Sequence, residues 1–116
     1  MTIAYKSNSR LGRRRSQRVA LSMPVVVWEP ESERKDPIEK TKTLSVSRHG
    51  GLMMLSADVA CGQNLVVTNA YSRMSLECRI VYVSSDKNEN LDTRQVGFEF
   101  LEPETNFWNI SFPISA

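Results

Sequence analysis

The sequence contains one histidine, two cysteines and five glycines, and these shortages exclude several kinds of chemistry. Cys61 and Cys78 stand far apart and only His49 could join them, so neither a C-x-x-C redox pair nor a zinc knuckle can be built. Both thiols are expected as small buried hydrophobes. His49 lies in a glycine turn without a cysteine or carboxylate at a suggestive spacing. No serine occupies a G-x-S-x-G elbow, and no glycine-rich loop ends in a lysine that could hold a triphosphate. An enzyme is therefore not expected, nor is a resident cofactor or metal. Long apolar runs are missing too. Nothing approaches the roughly 20 residues that cross a bilayer, and the opening MTIAYKSNSR has no apolar signal core. The expectation is a soluble, cytoplasmic protein without a membrane span.

Acidic residues are absent where the basic residues cluster. The 116-residue chain carries +2, but residues 1–18 hold Lys6, Arg10, Arg13, Arg14, Arg15 and Arg18 with no acid; that is +6, which leaves −4 on residues 19–116. A basic arm in front of a mildly acidic body points to an anionic partner held near the arm. Length and 41% hydrophobic composition suit one folded domain. Residues 1–18 are expected as a flexible arm, 19–102 as the folded body, and 103–116 as a tail on or near it.

Helical periodicity is also lacking, whereas period-two alternation recurs. Val19, Leu21, Met23, Val25 and Val27 predict a first strand, kinked or at an edge because of Pro24. IEKTKTLSV (38–46) predicts a second strand, SRHGG a tight turn, and LMML a short third strand. NLVVTN follows the turn region ADVACGQ. Leu76, Cys78, Ile80 and Tyr82 then mark a long inward-facing stripe, and Val96, Phe98 and Phe100 a last strand. The charged stretches EPESERKDP and SSDKNENLDT read as loops. About six short strands in a chain of this size predict an all-β, six-stranded antiparallel barrel, which leaves no open sheet edge. Phe107 and Trp108, in a tail that can form one helical turn, are expected to cover a barrel opening.

Two polar elements carry the binding chemistry. Arg14 and Arg18 can close on a compact ligand from two sides, since each guanidinium fork matches two phosphate oxygens or the O6 and N7 acceptors of guanine. SVSRHGG offers the hydroxyls of Ser45 and Ser47 to a base edge or phosphate, while Gly50 and Gly51 let backbone N–H groups approach an anion. Taken singly, the first is a solvated basic patch and the second a hairpin turn.

Together they resemble the signature of PilZ domains, R-x-x-x-R followed after a strand and loop by [D/N]-x-S-x-x-G. RVALSMPVVV is similar to that family's first strand, SRHGGLMML to its turn and third strand, and QVGFEFLE to its closing strand; the likeness covers about residues 10–102. It implies a PilZ-like split barrel of six strands that binds the bacterial second messenger cyclic di-GMP. Arg14 and Arg18 would wrap over phosphate and guanine, and the Ser45, Ser47 and Gly50 element would receive a guanine, with Gly51 and Arg48 beside it. Ligand binding would draw the arm onto the barrel and so signal to a protein effector.

One position departs from the signature: Ser45 replaces the family's Asp or Asn. A hydroxyl accepts less well than a carboxylate or amide from the Watson–Crick edge of guanine, a loss of about 1–2 kcal/mol. Weakened rather than abolished binding is expected. Arg13, directly before R-x-x-x-R, is the feature that in this family accompanies an intercalated pair of ligands. The alternative is a degenerate domain that engages proteins without nucleotide. Nucleic acid is not expected as a partner, because the body is acidic and lacks interleaved aromatic and basic residues.

Overall fold

The computed structural model describes residues 18–30, 36–85, 92–104 and 106–112. The arm residues Arg13 and Arg14, and parts of both charged stretches read as loops, lie outside these. Seven strands form: β1 (Val19–Ala20), β2 (Pro24–Trp28), β3 (Glu39–Ser47), β4 (Gly50–Leu55), β5 (Asn64–Asn69), β6 (Ser75–Val83) and β7 (Arg94–Phe100). Every pairing is antiparallel. Strands β3, β2, β5, β6, β7 and β4 follow one another around the sheet, and β4 returns to β3, so the six-stranded barrel is closed. β1 adds two residues to β3 beyond the end of β2.

The first strand is kinked as expected, and the cause is visible. Pro24, which has no N–H to give a ladder, opens β2 after a break at residues 21–23. Thr43, fully buried, spans that break: its hydroxyl accepts from the Met23 N–H at 2.9 Å and donates to the Leu21 carbonyl at 2.6 Å. Both backbone groups are thereby satisfied where the strand ladder lapses.

Alternation fills the interior. Val25, Val27, Val46, Met53, Leu55, Leu65, Val67, Cys78, Ile80, Val96 and Phe98 are all buried. Phe107 and Trp108 join them against Phe98 and Phe100, with ring centroids 4.8 Å apart for Phe100 and Phe107. In the tail, Phe107 N–H bonds Glu104 O and Asn109 N–H bonds Asn106 O; these are turns, and no helical turn forms among the described residues. Strands β3, β5 and β7 run the same way, so their last residues Ser47, Asn69 and Phe100 mark one end of the barrel. The tail crosses that end: Trp108 Nε1–H donates to Ser47 O at 2.9 Å, and Asn69 Nδ2–H donates to Phe107 O at 2.7 Å.

Three further sequence expectations change. The β3–β4 turn consists of Arg48 and His49 alone, and Gly50 and Gly51 belong to β4, paired with Ser47 and Val46. A side chain at Gly50 would collide with the backbone carbonyl of Phe98, so close packing of β4 on β7 explains that glycine. Tyr82 leaves the inward stripe, because a bulge between Ile80 and Tyr82 inserts Val81 as an extra residue and turns both outward, 46% and 49% exposed. Cys61 is exposed in the turn before Gly62 (φ 90°), where no strand can bury it. Cys78 is buried as expected, and desolvation pushes its thiol from the ordinary 9.0 up to about 12.

Candidate ligand site

The site grows from three local features, two at the plugged end and a third further along the barrel wall. First, β1 pairs with the last residues of β3, Val19 opposite Val46, so the chain entering the barrel is pinned beside the β3–β4 turn. Arg18, exposed, stands directly before that pinned residue. Second, the two-residue turn projects Arg48 and His49, with His49 N–H bonded to the Ser47 hydroxyl at 3.3 Å. Third, the β6 bulge swings Val81 and Tyr82 over β7 at Gly97. A Cβ there would sit 3.1 Å from the Tyr82 Cβ, so the missing side chain gives Tyr82 its seat.

These features enclose one pocket of about 440 Å³, within the range of small-ligand sites. Arg18, Ser47 and His49 line its polar rim, and Gly50, Gly51 and Leu52 of β4 form one wall. Val81 and Tyr82 form the opposite wall, with Gln95, Gly97 and Glu99 of β7 between. The chemistry on offer is a guanidinium, a hydroxyl, an imidazole, a carboxylate and a flat aromatic face. Among the described residues, no group of three or more His, Cys, Asp or Glu could hold a metal ion.

Of the residues singled out from sequence, Arg18, Ser47, Gly50 and Gly51 meet in this pocket. Arg48 is exposed at the turn and does not line it. Ser45 is half-buried in β3, between Ala20 of β1 and Leu52 of β4, and does not line it either. Arg13 and Arg14 are outside the described residues. Sequence reasoning missed Leu52, Val81, Tyr82, Gln95 and Glu99 as pocket residues and saw His49 only as a failed catalyst. The β7 pattern QVGFEF was a usable signal for Gly97 and Glu99. The outward turn of Tyr82 had none, since a bulge depends on strand register.

The comparisons bear on the whole barrel. Residues 12–108 match the family model described as PilZ domain. Among solved structures, the Bacillus subtilis inhibitor of motility MotI/DgrA is similar, with a TM-score of 0.58 and 15% identity over 90% of this chain and 50% of that one. This chain thus spans half the length of that structure, and the likeness concerns the fold. No curated protein matches.

Proposed function

The chain belongs to the PilZ domain family, and from that premise we propose that it is a non-catalytic receptor for cyclic di-GMP. The observation that carries this reading is the meeting, in one pocket of about 440 Å³, of Arg18 from R-x-x-x-R with Ser47 and Gly50 from the second motif and with Gly51 next to it. The two halves of the signature lie nearly thirty residues apart in sequence, and the pairing of β1 with the end of β3, Val19 opposite Val46, sets Arg18 beside Ser47.

The chemistry follows from the lining. Arg18 offers a fork to a phosphate or to guanine O6 and N7. Tyr82 and Val81 on one wall, with Leu52 on the other, give the base apolar surface on which to lie. Arg14, which precedes Arg18 in the R-x-x-x-R motif, closes over the ligand from the arm, and ordering the arm costs entropy that charge-assisted bonds offset. Arg13 supplies a further cation for a second, intercalated ligand. The arm thus settles on the pocket rim when ligand is bound, and the changed surface is what a protein effector in the bacterial cytoplasm recognises.

Calorimetric titration of the full chain with cyclic di-GMP, with GMP as control, tests the reading and gives the stoichiometry. Saturable binding that Arg18→Ala weakens about tenfold or more supports it. No heat with cyclic di-GMP at low salt contradicts it. That second outcome would favour a nucleotide-free protein-binding domain, the reading to which Ser45 lends support by standing outside the pocket in place of Asp or Asn.

A further inference from the structure

One group in the pocket suits a phosphodiester poorly. Glu99 lies in β7 between Phe98 and Phe100, which are both buried, so period two turns its carboxylate to the outer face. Its cross-strand partner on β4 is Gly50, which has no side chain to cover it, and it lines the same pocket as Arg18 and Ser47. Among the described residues it meets no hydrogen-bond or ion-pair partner. Arg79 stands opposite it on β6 but does not line the pocket.

A carboxylate only accepts hydrogen bonds and repels phosphate. A dianionic nucleotide entering this pocket therefore has one favourable orientation. Its phosphates turn to Arg18, and toward Glu99 it turns an edge made of donors. Guanine has such an edge: N1–H and the exocyclic N2–H lie side by side and match the two carboxylate oxygens. Adenine presents one amino donor beside a bare ring nitrogen, whose lone pair faces the second oxygen unfavourably.

We propose that Glu99 is the guanine-reading carboxylate of this pocket, and that it takes over from β7 the recognition that Ser45 cannot supply from β3. This rests on the cyclic di-GMP reading above. It adds that base specificity resides in a residue outside both signature motifs.

Three cyclic dinucleotides test it on the full chain by calorimetry: the diguanylate, the diinosinate, which lacks the exocyclic N2 amino group, and the diadenylate. The parent is expected to prefer diguanylate over diinosinate by about tenfold. In Glu99→Gln the side chain keeps its shape but offers one acceptor and one donor. Diguanylate binding should fall by about tenfold, the preference over diinosinate should shrink to under about threefold, and diadenylate binding should rise, because an amide complements adenine. A gain for diadenylate cannot come from misfolding. If Glu99→Gln strengthens all three ligands alike, with the parent's preferences intact, Glu99 is only a repelling charge and the proposal is overturned, while the receptor reading stands. If the parent binds none of the three, both fall together.

Discussion

The two ends of the barrel are closed by different means. At one end Glu39, the first residue of β3, accepts N–H bonds from Ser56 at 3.0 and 3.1 Å and from Ala57 at 2.9 Å, which ties the chain leaving β4 back onto the sheet. The space beneath, lined by Leu55, Val59, Val83 and Arg94, amounts to about 10 Å³, barely the volume of one water. The other end is held differently. The tail lays Phe107 and Trp108 over the opening and attaches through two hydrogen bonds, one of them to Ser47 of the second motif. The first end is closed by the sheet itself. The second is closed by a separate segment, with a pocket of about 440 Å³ next to it. On the proposed reading, binding belongs to the plugged end, where Ser47 serves both plug and pocket, while the clamped end serves stability alone.

The largest effect should come from breaking the plug. Trp108→Ala removes a buried indole that packs on Phe98, Phe100 and Phe107 and bonds to Ser47. It should cost about 3–5 kcal/mol in chemical unfolding. Next comes the arm. Arg14→Ala with Arg18→Ala should weaken cyclic di-GMP binding by about a hundredfold, roughly 2.7 kcal/mol, with the unfolding midpoint moving by less than about 1 °C. A parallel loss of stability would mean that these arginines serve the fold. Glu39→Ala should do the reverse, costing about 1–2 kcal/mol of stability while ligand affinity measured by titration stays within about twofold.

The smallest effect concerns the thiols. Cys61, exposed, should react with a disulfide reagent in the folded protein, and Cys78 only after unfolding, so one thiol titrates natively and two in denaturant. Burial raises the Cys78 thiol from 9.0 to about 12, so the folded state holds its proton where the unfolded state has released it. Its contribution to stability is therefore complete below about pH 9 and declines between pH 9 and 12. Unfolding followed across that range should lose this slope in Cys78→Ala.

The strands were legible because period two is local. Val25 and Val27, Leu65 and Val67, and Val96 and Phe98 face inward as their spacing requires. The signature halves were legible as well, since charge and hydroxyls cluster in short runs around Arg18 and Ser47. What could not be read depends on how one strand meets another. Leu44 and Val81 occupy positions where the register shifts, and each shift turns side chains that strict alternation would place inside. Gly50 was taken for a turn residue that admits an anion. Its neighbour Phe98, nearly fifty residues away, shows that strand packing forbids a side chain there. Glu99 reads as one more exposed acid until β4 places Gly50 beside it and leaves its carboxylate facing the pocket.

Backbone amide mapping of the full chain during titration with cyclic di-GMP tests most directly the claim that the plugged end carries the ligand. The expected result is a set of shifts confined to Arg18, residues 47–52, Val81, Tyr82 and residues 95–99. The Trp108 indole N–H should move with them through Ser47, while Ser56, Ala57 and Val59 at the clamped end stay still. Shifts centred on Ser56 to Val59, or none at saturating ligand, would contradict it.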